Sequence, residues 1–153
     1  MRSMKSALIL FGFLLVTFCA PALGAFSTPD QWYWTIEKPS WNPPGWVFGP
    51  VWTFLYITMA VAAWLIWKNQ GWSKAVGLYG IQLVFNAAWT PVFFGAHQIG
   101  WALVVIMGLW LAAMLTTVAF FRVSRCAGFL MVPYMVWLSF ATILNFTLWQ
   151  LNG

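Results

Sequence analysis

Charged residues are scarce in this 153-residue chain: Lys, Arg, Asp and Glu together make up 6% of it, whereas 63% is hydrophobic. Soluble domains carry about 25% charged residues, so this chain has too few to cover a surface exposed to water. Its seven basic residues are also too few for a nucleic-acid-binding surface. With a mean hydropathy of +0.82, the sequence indicates an integral membrane protein that is surrounded by the lipid bilayer.

Chemically reactive side chains are almost absent as well. No Asp, Glu, Lys, Arg or His lies inside a long apolar run, which argues against a proton pump or an ion-coupled carrier. Cys19 and Cys126 form no metal-ligand pattern, and His97, alone in a short loop, is more simply a solvated side chain than a ligand of a metal or haem iron. We therefore expect no metal site, no required cofactor and no general acid–base catalysis in the membrane.

Five apolar runs are long enough to cross a bilayer, for which a helix needs about 20 residues. They cover residues 7–26, 46–67, 75–94, 99–121 and 127–149. The alternation of a membrane β-barrel is absent, so the predicted fold is all-α: one domain over residues 1–153, built as a bundle of five transmembrane helices. The first run also looks like a secretory signal peptide, but its length and the four runs that follow favour a retained helix.

The basic residues between the runs predict the orientation of the chain. Six of the seven fall on one side of the membrane: Arg2, Lys5, Lys68, Lys74, Arg122 and Arg125. Lys38 alone falls on the other side, with Asp30 and Glu37. Because Lys and Arg concentrate in cytoplasmic loops, we expect the N-terminus inside and the C-terminus outside.

An unusual segment, KPSWNPPGWVFGPVW, covers residues 38–52 and leads into the second run. Its four prolines stiffen the backbone and remove N–H donors, and three tryptophans accompany them. We interpret this segment as a rigid, aromatic loop that acts as a lid over the mouth of the helix bundle. The alternative is an interfacial anchor whose tryptophans lie at the depth of the lipid headgroups.

Indole and amide side chains converge beneath this loop. Trp52 and Trp89 lie one to two turns inside their runs, and Asn86 and Asn145 lie at the same level on the third and fifth predicted helices. Trp137, near the middle of the fifth, needs a partner for its N–H. A mostly apolar site with a few polar groups is typical of a binding pocket, here for a flat hydrophobic molecule. Alternatively, the amides only form hydrogen bonds between helices; their spacing leaves both interpretations open.

Several long segments also match a known family. They are Trp32-Tyr33, KPSWNPPGWVFGPVW from Lys38, FNAAWTPVFFG from Phe85, GWALV from Gly100 and PYMVWLSFATILN from Pro133. On these motifs, which with their spacing cover nearly the whole chain, the sequence resembles the tryptophan-rich sensory protein family, TspO. Its animal members are the mitochondrial translocator protein, or peripheral-type benzodiazepine receptor. The resemblance implies a five-helix bundle in the lipid bilayer, usually a homodimer, with a retained first helix and a pocket lidded by the first loop.

The ligands of this family are porphyrins such as protoporphyrin IX, cholesterol in animal members, and synthetic isoquinoline carboxamides. Carried onto matching positions, the resemblance implies a pocket formed by Tyr33, Pro43, Trp46, Trp52, Asn86, Trp89, Trp137, Ala141 and Leu144. To these we add Asn145, which lies level with the indoles, and Lys38, a loop cation within reach of the propionates of a porphyrin.

The chain departs from the family's animal members at one motif. Their cholesterol-recognition stretch ends the fifth helix with a Tyr followed by an Arg, whereas this chain has Phe146 and Gln150 at those positions. The motif is a weak pattern even when intact, and its absence argues against a dedicated sterol role. It favours a bacterial-type tetrapyrrole protein, in a bacterial cell membrane or outer membrane.

Three functions remain open, and we favour the first. It is a membrane receptor or sensor that binds porphyrins and regulates tetrapyrrole metabolism or a stress response. The second is an enzyme that degrades bound porphyrin in light, with Trp52 and Trp137 as electron donors beside the macrocycle. The third is a transporter of porphyrin or sterol.

Overall fold

The computed structural model describes all residues, 1–153, and contains helices but no strand. The α-helices are α1 (Arg2–Gly24), α2 (Gln31–Thr35), α3 (Gly45–Gln70), α4 (Lys74–Thr90), α5 (Ile99–Val123) and α6 (Arg125–Asn152). A π-helical turn, Pro91–Gly95, continues α4. All of these helices except the short α2 are long and apolar enough to cross a membrane, α4 together with the π-helical turn. The predicted fold, a bundle of five transmembrane helices, is therefore confirmed.

The five spanning helices form a closed ring. Helix α1 packs against α3 and α4, α6 packs against α3 and α5, and α5 closes the ring by packing against α4. Large apolar side chains cover the outside of the ring; Val84 and Val136, for example, are 69% and 65% exposed. An apolar exterior of this extent is suited to lipid rather than water.

Local chemistry explains where several helices begin and end. Asp30 caps α2 by accepting a hydrogen bond from the Tyr33 N–H, and Ser124 caps α6 by accepting one from the Ala127 N–H; both are residue types that helices prefer at this position. Helix α3 begins directly after Pro44 and ends at Gln70; the next residue is Gly71, whose φ of +65° suits a residue without a side chain.

The third predicted run, residues 75–94, is not one α-helix. Pro91 has no N–H to donate, and from this residue the chain widens into a π-helical turn closed by a hydrogen bond from the Ala96 N–H to the Pro91 carbonyl, 2.9 Å long. Single π turns within α-helices frequently occur at functional sites. This one carries Phe93, which is 1% exposed, and Phe94.

The two ends of the bundle are packed differently. We call the end that carries residues 25–44 and 96–98 the loop end, and the other the opposite end. The half of the bundle towards the opposite end is filled by completely buried side chains, many of them alanines: Met59, Ala60, Ala62, Ala63, Ile66, Ala113, Phe120 and Met131. In the half towards the loop end, large aromatic side chains surround a cavity instead.

Candidate ligand-binding cavity

A cavity of about 430 Å³ lies in the half of the bundle towards the loop end. All five spanning helices contribute to its wall, and so do loop residues between α1 and α2. None of the lining residues is charged. An apolar, concave wall with a few polar groups is typical of a small-molecule site, and without a countercharge such a wall disfavours an ionised group.

Aromatic rings form much of this wall. Trp52 stacks on Tyr56, with ring centroids 5.4 Å apart, and meets Trp137 edge to face at 6.4 Å. Elsewhere on the wall, Trp89 stacks on Phe93 with centroids 5.0 Å apart. Aromatic faces and edges of this kind offer stacking and edge-to-face contacts to a planar ligand.

Two asparagines on the wall join helices. The Asn145 amide oxygen accepts a hydrogen bond from the Trp89 indole N–H at 2.9 Å, and its NH₂ donates to the Ile99 carbonyl at 3.1 Å. Asn145 therefore links α4, α5 and α6 while also lining the cavity. The sequence left open whether the amides line a pocket or form hydrogen bonds between helices. Asn145 does both.

Asn86 begins a longer chain of hydrogen bonds that leads away from the cavity. Its oxygen accepts from the Tyr56 hydroxyl at 2.9 Å, and its NH₂ donates to the Tyr134 hydroxyl at 3.0 Å. Tyr134 in turn donates to the Gln82 amide oxygen at 2.8 Å. Tyr134 and Gln82 are completely buried, so each polar group in this network takes a partner in place of water.

The Trp137 N–H is buried without a hydrogen-bond partner, in contrast to those of Trp89 and Trp110. Trp89 donates to Asn145, as described above, and Trp110 donates to the Ser139 hydroxyl at 2.9 Å. Trp137 lines the cavity. An unpaired buried donor is costly, so the Trp137 N–H is an unsatisfied polar group within the wall.

Most of the predicted site residues come together here. Eight of the eleven line the cavity: Tyr33, Trp52, Asn86, Trp89, Trp137, Ala141, Leu144 and Asn145. They come from the first loop and from α3, α4 and α6, so residues far apart in the chain share one wall.

The other three predicted site residues, Lys38, Pro43 and Trp46, do not line the cavity. The Lys38 ammonium donates hydrogen bonds to the Tyr33 and Ile36 carbonyls, and lies 4.5 Å from the centre of the Tyr33 ring. Trp46 is 77% exposed at the start of α3, a position that fits the alternative of an interfacial anchor.

Comparison with known proteins identifies the group to which this architecture belongs. The model of the TspO/MBR family matches residues 11–150, which is most of the chain. The chain belongs to the TspO/MBR family. It is similar to the translocator protein of Homo sapiens, with 47% identity over 145 residues that cover 87% of this chain and 86% of the human protein.

Bacterial relatives of this TspO/MBR protein are comparably similar. The tryptophan-rich sensory protein of Cereibacter sphaeroides is 47% identical over 134 residues, which cover 87% of this chain and 85% of the relative. Protein CrtK of Rhodobacter capsulatus is 38% identical over 138 residues, which cover 88% and 86%. This chain is thus a multi-pass membrane protein of a family whose members include translocator and sensory proteins.

Several cavity residues of this TspO/MBR protein were missed from the sequence. Tyr56 follows Trp52 by one helical turn, and residues four apart share a face of a helix, so spacing was a usable signal for it. Phe93 and Phe94 line the cavity from the π-helical turn, where the regular spacing of α4 no longer applies. Gly24 also lines the cavity: a Cβ built on it would lie 3.0 Å from the Thr90 methyl group, so any larger residue would have to displace the Thr90 side chain slightly.

The first loop of the TspO/MBR protein lies beside the cavity through the short helix α2. Tyr33 lines the cavity and packs edge to face against Phe94, with centroids 5.3 Å apart. His97 stacks on Trp32 with centroids 4.3 Å apart, and hydrogen-bonds to the Asp30 carboxylate at 3.0 Å. The histidine weighed as a metal ligand thus contacts the loop that precedes α3.

Proposed function

We propose that this protein is a membrane receptor or sensor that binds a porphyrin, such as protoporphyrin IX, in the aromatic cavity and thereby regulates tetrapyrrole metabolism or a stress response. The observation that carries the proposal is the uncharged cavity wall, which includes the indole rings of Trp52, Trp89 and Trp137. A planar apolar ring system suits stacking on such a wall. The names of the relatives, translocator and tryptophan-rich sensory proteins, are compatible with a binding role.

The absence of charge on the wall constrains how a porphyrin dicarboxylate would be oriented. Ionised propionates would have to remain outside the cavity, in water or near a cation, because burial of an unpaired carboxylate is very unfavourable. Lys38 is the cation nearest in the structure to a wall residue, since its ammonium lies over the ring of Tyr33. We infer that the macrocycle would enter with its propionates directed towards the first loop.

The experiment that tests this proposal is a titration of the detergent-purified protein with protoporphyrin IX. Tryptophan fluorescence is followed in the dark, and porphyrin absorbance is then followed under illumination. We expect saturable quenching with porphyrin that is stable in light. The absence of saturable quenching would eliminate the porphyrin site.

Trp137→Phe and Trp110→Phe provide a matched pair of variants for this titration. Both indoles lie near the middle of their helices, but only Trp137 lines the cavity, whereas Trp110 is bonded to Ser139. We expect about tenfold weaker binding for Trp137→Phe, because the smaller phenyl ring offers the ligand less stacking area than the indole, and unchanged binding for Trp110→Phe. If the two variants bind protoporphyrin IX with equal affinity, the porphyrin does not bind in this cavity.

One observation favours a second candidate function, light-dependent degradation of the bound porphyrin. Trp52 and Trp137 lie edge to face on the wall, with centroids 6.4 Å apart, so two oxidisable indoles would contact the same macrocycle. Protein-dependent loss of the porphyrin absorbance in light, but not in darkness, would support this function. Degradation that persists in both Trp52→Phe and Trp137→Phe would exclude these indoles as electron donors.

A further inference from the structure

The last turn of α6 contacts the first loop through a single side chain. The Asn152 amide oxygen accepts a hydrogen bond from the Glu37 backbone N–H at 2.8 Å, and the Asn152 NH₂ donates to the Glu37 backbone carbonyl at 2.9 Å. The same NH₂ also donates to the Leu148 carbonyl at 2.9 Å, one turn back in α6. Asn152 thus pairs with both backbone groups of Glu37, as a neighbouring β-strand would.

The residues on either side of Glu37 connect this contact to the cavity. Ile36 packs against the cluster formed by Phe93, Leu144 and other buried residues at the loop end. Lys38 binds back to the carbonyls of Tyr33 and Ile36. Because Tyr33 lines the cavity, a contact that holds Glu37 also holds the end of α2 that carries this part of the wall.

A second polar contact holds the other end of α2. Asp30, which caps α2, hydrogen-bonds to His97 in the turn before α5, and His97 stacks on Trp32. Residues 30–38 are therefore attached at both ends to different parts of the bundle. Prolines lie on both flanks, at Pro29 on one side and Pro39 on the other, and neither belongs to a helix.

We propose that Asn152 is a positioning residue that holds residues 30–38 closed over the cavity, and that ligand exchange requires its two hydrogen bonds to Glu37 to break. This inference deepens the proposed ligand-binding function and rests on it. The hydrogen bonds do not involve the ligand, so they stabilise the closed state equally with and without it. Their loss therefore raises the association and dissociation rates by the same factor and leaves the dissociation constant unchanged.

The test uses Asn152→Ala in the full-length protein, with Glu37→Ala as the matched control. The control keeps both hydrogen bonds because they involve only the backbone of residue 37. Stopped-flow quenching by protoporphyrin IX should give about fivefold faster association and dissociation for Asn152→Ala, for two weak, solvent-exposed hydrogen bonds, with an unchanged dissociation constant. Glu37→Ala should behave as the unmodified protein.

A measurement without ligand separates this inference from the porphyrin proposal. Backbone hydrogen exchange, followed by mass spectrometry of peptides covering residues 30–38, should be faster in Asn152→Ala than in Glu37→Ala. If porphyrin does not bind but exchange responds in this way, the porphyrin proposal fails and the closure by Asn152 stands.

Two results would overturn the role of Asn152. One is equal hydrogen exchange in Asn152→Ala and the unmodified protein. The other is a weaker affinity of Asn152→Ala with an unchanged association rate, since that pattern indicates a lost contact with the ligand rather than a loosened cover.

Glu37→Pro removes the same hydrogen bond from the other side, because proline has no N–H to donate. We expect this variant to bind and release the ligand faster than the unmodified protein. In the double variant, the effects of Glu37→Pro and Asn152→Ala should be less than additive, because the two changes remove a shared hydrogen bond.

Discussion

The two halves of the bundle are built from the same five helices and are both apolar, yet one half encloses a cavity and the other does not. Towards the opposite end, Ala60, Ala62 and Ala63 allow the neighbours of α3 to approach, and all three are completely buried. Towards the loop end, α3 instead carries Trp52 and Tyr56 on the inside. Small residues let helix backbones pack closely, whereas large rings hold them apart and leave space between their faces. The size of the inward side chains, rather than their hydrophobicity, distinguishes the two halves.

The largest predicted effect comes from enlarging a side chain where there is no space. Ala63→Leu should lower the free energy of unfolding by about 3 kcal/mol, because overpacking a filled core displaces its neighbours. Reversible unfolding in mixed detergent and dodecyl sulfate micelles measures this change. If Ala63→Leu is as stable as the unmodified protein, the core around Ala63 is less tightly packed than the structure shows.

The next effect tests the hydrogen-bond network between the halves. Tyr134→Phe should lower the free energy of unfolding by about 2 kcal/mol, because it leaves the buried NH₂ of Asn86 and the buried oxygen of Gln82 each without a partner. Tyr79→Phe, which loses only a hydrogen bond to Thr17, is the control and should cost about 1 kcal/mol. If both variants lose the same free energy of unfolding, the network around Tyr134 stabilises the protein no more than the single hydrogen bond between Tyr79 and Thr17.

Ala141→Leu is the counterpart of Ala63→Leu in the half that contains the cavity. Ala141 lines the cavity, so the added carbons occupy free space and the free energy of unfolding should change by less than about 1 kcal/mol. Porphyrin binding should weaken about tenfold, because ligand and side chain compete for the same volume. Titration and unfolding of the same sample test both statements; a strongly destabilised Ala141→Leu protein would contradict the contrast between the halves.

The smallest predicted effects differ in sign between two indoles. Trp110→Phe should destabilise the protein by about 1 kcal/mol through loss of its hydrogen bond to Ser139. Trp137→Phe removes an N–H that has no partner, so its free energy of unfolding without ligand should stay the same or rise by about 1 kcal/mol. Thermal unfolding in detergent compares the two. A larger loss for Trp137→Phe would indicate that its N–H is paired in the protein without ligand.

Part of the cavity was predictable from the sequence, because the position of a residue within a spanning helix gives its depth in the membrane, and residues at the same depth on different helices can meet. Trp52, Asn86, Trp89 and Asn145 were brought together on these grounds, and the family motifs added Tyr33, Trp137, Ala141 and Leu144. Phe93 was not predictable in this way, because the π-helical turn after Thr90 changes the direction of its side chain. The contact between Lys38 and the propionates of a porphyrin stays a prediction. The hydrogen bonds of its ammonium to the carbonyls of its own loop depend on how the loop folds and could not be predicted from the sequence.

A membrane protein of five helices could be predicted from composition and apolar runs alone, because spanning helices satisfy the backbone in lipid and the chain has too little charge to cover a surface in water. The sequence also determined the family, through long motifs. The packing of the helices, in contrast, was needed to learn which indoles line a cavity, which indole N–H lacks a partner and which side chain of α6 contacts the first loop. These features depend on the closed ring of helices, which brings residues such as Asn152 and Glu37 together across 115 positions of the chain; no local pattern in the sequence encodes such a distance.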